Sequence, residues 1–106
     1  MNHSHHSAES IHKLLEILSK KWMLLVFHVF LMNNEIRFND LKKELNGISA
    51  KMLSRRLSEL EKMKFVNRVV KNGKPIVIIY KTTKKTKDLL PLFQELMKLS
   101  NKLDIK

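Results

Sequence analysis

The chain has 106 residues, 43% of them apolar, with two glycines, two prolines and no cysteine. That length fits one domain with one core, and the missing cysteine excludes disulfides, thiolate metal sites and thiol redox switches. The formal net charge is +11, and residues 64–87 alone carry eight basic side chains and no acidic one. A patch this local points to a polyanionic partner, where evenly spread charge would mean only a soluble surface.

Residues 1–7 (MNHSHHS) read as a disordered tail. A free amino terminus with His3 in third place can chelate Cu²⁺ or Ni²⁺, but the tract His3, His5, His6 is only a compositional hint, and no metal or cofactor is assigned. Ile11, Leu14, Leu15 and Leu18 repeat at i, i+3, i+4, i+7, one face of a helix. After Ser19-Lys20-Lys21, the run Trp22–Met32 is apolar on nearly every side and predicts a buried central helix. Trp22 is expected in the core, and His28 in the core or at an interface. The run is too short to span a bilayer and is wrongly placed for a signal peptide. The expectation is a soluble cytoplasmic protein with no membrane partner.

Ile36-Arg37-Phe38 is a short extended piece. Asn39 is expected to cap the helix that follows, with Asp40 in its first turn. Asn46-Gly47 stops that helix, and Ser49 caps another from about Ala50 to Met63. Two helices joined by a tight turn make a helix-turn-helix. On the second, Leu53, Leu57 and Leu60 form an apolar stripe. Lys51, Arg55, Ser58 and Lys62 lie opposite, with Ser54 at the edge and Arg56 between the two faces. Residues 65–70 and 76–80 are β-rich, and Asn72-Gly73 between them predicts a tight hairpin with lysines at its tip. Pro75 must sit where no ladder donor is needed. Thr82 or Thr83 can cap a last helical segment, about 83–104, with Pro91 near its start or at a kink. Leu89, Leu92, Leu96, Leu99 and Leu103 are spaced 3-4-3-4, an a/d seam that Phe93 widens.

The fold class is therefore α+β, mainly helical. Residues 8–106 form a single winged helix-turn-helix domain, with the helix-turn-helix over 39–63, a two-stranded β wing over 65–81 and a C-terminal dimerisation helix. A helix fits the major groove and its N-terminal residues reach the bases. Those residues are Ser49, Ala50, Lys51, Ser54 and Arg55, with Ser58 on the same exposed face. Lys71, Asn72 and Lys74 at the wing tip suit a minor groove or phosphates. Arg68 suits a phosphate, as do the backbone amides at Asn39 and Ser49.

The sequence resembles the HxlR-type branch of the MarR-like winged-helix regulators over about residues 11–100. The resemblance rests on Lys21-Trp22, Arg37-Phe38-Asn39-Asp40-Leu41, Gly47-Ile48-Ser49, Met52-Leu53-Ser54, Arg56-Leu57 and Leu60-Glu61, followed by Pro75, Tyr80 and Thr83. It implies homodimers joined through the first and last helices, two-fold DNA sites and control of nearby genes. It carries Ser49, Lys51, Ser54, Arg55 and Arg56 over as recognition-helix contacts. Lys64 and Thr86 stand where the family usually has Gly. Many relatives sense oxidants or aldehydes through a cysteine, and that mechanism does not carry over.

The function expected is a sequence-specific, double-stranded DNA-binding transcriptional regulator. It would act as a homodimer through Ile11, Leu14, Leu15 and Leu18 of the first helix and Leu89, Leu92, Phe93, Leu96, Leu99 and Leu103 of the last. The sequence does not identify a small-molecule effector, although a gap lined by methionines could hold an apolar one. Without a phosphate-cradling Gly loop, an HExxH or a cysteine nucleophile, no enzyme is expected. Two alternatives stay open: an architectural, chromatin-like DNA binder, and a winged-helix module that binds protein in the transcription machinery.

Overall fold

The computed structural model describes residues 3–105. Helix α1 (His3–Leu18) includes residues 3–7, expected as tail, because no Gly or Pro interrupts them. The amino terminus, and with it the candidate Cu²⁺ or Ni²⁺ site, lies outside the described residues. The elbow Ser19–Trp22 then turns the chain. Trp22 precedes α2 (Met23–Met32) in a left-handed conformation, φ 75°.

Helix α2 buries Met23, Val26, Phe27, Val29 and Phe30, but Leu24, Leu25, His28 and Met32 are exposed. The expected buried central helix is therefore buried on one face only: the core takes that face, and the other is exposed in the protomer. His28 lies on the exposed face, its ring stacked 6.0 Å from Phe93.

Strand β1 (Glu35–Arg37) leads into α3 (Phe38–Glu44). Gly47, at φ +94°, makes the turn into α4 (Ala50–Lys62). That helix ends in a Schellman turn: the Phe65 N–H donates to the Leu60 carbonyl and the Lys64 N–H to Glu61. Lys64 takes the left-handed position, φ 66°, where a glycine would be unstrained. Two hydroxyls steady this corner. Thr83 Oγ1 donates to the Lys64 carbonyl at 2.6 Å, and the fully buried Thr86 donates to that of Phe65.

Strands β2 (Val66–Lys71) and β3 (Val77–Thr82) pair antiparallel, and β1 adds to the far side of β3, giving the order β1-β3-β2. The two-stranded wing is thus part of a three-stranded sheet. A three-residue strand is too short to show alternation in sequence. The hairpin is also wider than expected. Lys71 pairs with Val77, and neither Asn72 nor Gly73 takes positive φ. A two-residue Asn-Gly turn would pair Lys71 with Lys74 and draw Pro75 into the ladder, where it has no N–H to give. The last helical segment is divided, α5 (Lys84–Lys87) and α6 (Leu90–Leu103), with Pro91 in the first turn of α6.

One core joins these elements. Phe27, Phe30, Met23, Leu41, Leu53, Leu57, Leu60 and Val66 are fully buried, and Phe27 meets Phe65 edge to face at 5.0 Å. Trp22 packs half-buried against this cluster. Two residues of the expected dimer set, Leu18 and Leu89, belong to the protomer's own core, with Leu14 and Phe93 packed against it. They lie where α1 and α6 leave the body of the domain.

Candidate nucleic-acid interface

The interface is built from the cap of α4 outward. Ser49 Oγ accepts the N–H of Met52 at 3.0 Å, satisfying a helix-end donor and fixing where the helix begins. With Leu53, Leu57 and Leu60 turned inward, Ala50, Lys51, Ser54, Arg55 and Ser58 are all exposed. These five side chains share the exposed side of the helix.

Arg56 does not belong to it. Its side chain is buried, its Nε donates to the Lys21 carbonyl at 2.8 Å, and its guanidinium pairs with Glu59. The expected DNA contact is corrected, because these partners hold the side chain inside. Glu59 also takes the ammonium of Lys20. Burial raises the Glu59 carboxyl, but hydrogen bonds and charge from Lys20 and Arg56 outweigh it and hold the group below its ordinary value. Sequence spacing shows the Arg56–Glu59 pair at i, i+3; nothing local shows Lys20.

Asn39 does not cap α3. The helix starts directly after β1, so Arg37 holds the cap position without a side-chain bond, and Asn39 is an exposed first-turn residue. It shares a cleft with Lys43, Pro75 and Ile76, which brings the wing loop beside α3. Lys43 lies outside the sequence motif, although its i, i+4 spacing from Asn39 places both on one helix face.

The two faces of the wing part its cations. Arg68 pairs with Tyr80 across the ladder and lines a cleft with Ser54, Ser58 and Glu61 of α4. Lys71 is three residues on, an odd step, and so points to the opposite face. There it lines a separate cleft with Glu35, Asp40 and Glu44. Asn72 and Lys74 are exposed at the tip. Two cations of the basic stretch have internal partners: Lys81 is 3.9 Å from Glu35, and Lys85 donates to the Met63 carbonyl at 2.7 Å and lies 4.5 Å over the Phe65 ring. Among the described residues no group of three or more His, Asp or Glu side chains is placed to hold a metal ion. No helix is long and apolar enough to cross a membrane among those residues.

Residues 17–104 match the HxlR-like helix-turn-helix family. The chain belongs to that family. It is 40% identical over 80 residues to the HTH-type transcriptional regulator YodB of Bacillus subtilis (strain 168), a match covering 76% of this chain and 70% of YodB. It is also 40% identical over 87 residues to YvaP of the same organism, an uncharacterized HTH-type transcriptional regulator, covering 81% and 79%. The structure of the reduced form of YodB superposes with a TM-score of 0.75 at 35% identity, covering 87% of this chain and 89% of that one. A putative MarR-family regulator from Porphyromonas gingivalis W83 gives 0.76 at 30% identity, covering 85% and 87%. The fold is the winged helix of the MarR-like regulators, and the relatives it matches are HTH-type transcriptional regulators.

Proposed function

We propose that this HxlR-type protein is a homodimeric transcriptional regulator that reads a two-fold double-stranded DNA site. The observation that carries this reading is the exposed face of α4. A side-chain cap fixes its start, and Lys51, Ser54, Arg55 and Ser58 stand free on it. Those types suit base edges and phosphates in a major groove. Arg68 on the wing extends the same surface, and Asn39, Lys43 and Lys74 supply further phosphate contacts.

The dimer is supported by α6. Among its described residues none is buried in the protomer, yet Leu92, Leu96, Leu99 and Leu103 follow heptad spacing and are 37–58% exposed. Ile11 and Leu15 of α1 are each 52% exposed. A second copy laid against these faces would remove the apolar surface from water.

The test is a Lys51→Ala/Arg55→Ala double variant with unchanged circular dichroism and melting. The reading expects at least a tenfold loss of affinity for DNA selected by the wild type, since a good base contact contributes about 1–3 kcal/mol. Unchanged affinity would overturn it and favour a protein-binding role for the same face.

A further inference from the structure

The elbow between α1 and α2 is fastened to the recognition helix by directional bonds. Arg56 donates from Nε to the backbone carbonyl of Lys21 at 2.8 Å and pairs with one oxygen of Glu59. The other oxygen of Glu59 holds the ammonium of Lys20. Two consecutive elbow residues thus grip one turn of α4. Trp22, next in the chain, keeps a left-handed backbone at φ 75°, costly for a bulky residue. Its Cη2 lies 3.8 Å from where a Cβ on Gly47 would stand. The elbow therefore also abuts the turn that leads into α4.

On its other side the elbow continues α1. Leu15, Leu18 and Ser19 line an open apolar groove of about 550 Å³ with Leu24, Leu92 and Leu96, next to the faces assigned above to the dimer partner. The elbow thus touches both the reading helix and the dimer face. Apolar packing under α4 holds the helix down but is non-directional. Charge-assisted hydrogen bonds resist rotation and sliding.

We propose that Lys20, Arg56 and Glu59 are positioning residues that lock α4 to the α1–α2 elbow and so set the separation and tilt of the two recognition helices in the dimer. This rests on the DNA-reading dimer proposed above. The protein then tolerates only a narrow range of half-site spacings, and the clasp determines that range without touching a base.

The test uses a two-fold DNA site selected by the wild type from a random pool. The same site is rebuilt with the half-sites one base pair closer and one farther apart, beside a single half-site. Affinities are measured for the wild type, Lys20→Met and Glu59→Gln. The wild type should discriminate against the respaced sites. The variants should lose about fivefold of that discrimination, the low end of coupling between sites, with unchanged affinity for the single half-site. If Glu59→Gln fails to fold, Lys20→Met carries the comparison, because its side chain is 41% exposed. Folded, dimeric variants that keep the wild-type discrimination overturn the proposal. So does an equal loss on every DNA, the single half-site included, which is the mark of a merely structural role. A wild type that selects no DNA sequence overturns the DNA reading itself, and the clasp proposal with it.

Discussion

Arg56 reaches across to the backbone carbonyl of Lys21, 2.8 Å away and 35 positions earlier in the chain, while its neighbour Arg55 stands exposed. The two arginines should therefore fail in opposite ways. Arg56→Ala leaves the Lys21 carbonyl and Glu59 short of a partner and should cost about 1–3 kcal/mol of stability. Arg55→Ala should stay within about 0.5 kcal/mol of the wild type and instead lose roughly tenfold in DNA affinity. Urea unfolding and gel-shift titration of the same two variants read both effects.

Glu59 makes stability depend on acid. Its carboxyl is held below the ordinary value in the folded protein. The stabilisation is thus fully present above the ordinary carboxylate range and is lost as pH falls through the folded-state value. The stability gap between wild type and Glu59→Gln should be flat from neutral to mildly acidic pH and close below the carboxylate range. Urea midpoints across pH measure it; a gap that persists in acid would contradict the ion-paired role.

Lys64 occupies a left-handed position at the end of α4. A lysine there carries a steric cost of about 1–2 kcal/mol, partly offset because glycine loses more chain entropy on folding. Lys64→Gly should therefore stabilise the fold by about 0.5–1 kcal/mol, read as a rise of several degrees in Tm. A fall in Tm would show that the side chain contributes more than its strain costs.

The faces of the wing make a further distinction. Arg68 lies beside Ser54 and Ser58, whereas Lys71 lies beside Asp40 and Glu44. Arg68→Ala should reduce the slope of log affinity against log salt by about 0.9, one phosphate contact, and Lys71→Ala should reduce it much less. Titrations at several salt concentrations separate the two; equal slopes would mean that both faces of the wing meet the backbone.

What was legible in the chain was local. The Ser49 cap, the Gly47 turn and the leucine stripe of α4 each follow from residues within a few positions of one another, and the family motif around Ile48–Glu61 reinforces them. What was not legible depended on distant partners or on competition between local signals. A helical wheel leaves Arg56 between two faces, and the Lys21 carbonyl decides the matter. Asn39 has the chemistry of a cap, but β1 runs straight into α3 and shifts the cap to Arg37. Asn72-Gly73 favours a tight turn, and Pro75 two residues on widens it. The apolar run of α2 showed that the helix packs, but not that Leu24, Leu25 and His28 are left outside.

The central claim is that two copies of α4 read DNA through their exposed faces, and selection from a random double-stranded DNA pool followed by footprinting tests it most directly. The predicted result is an enriched two-fold motif whose protected half-sites lie about one helical turn apart, roughly 34–36 Å. Uniform coverage of the DNA with no enriched sequence would contradict it.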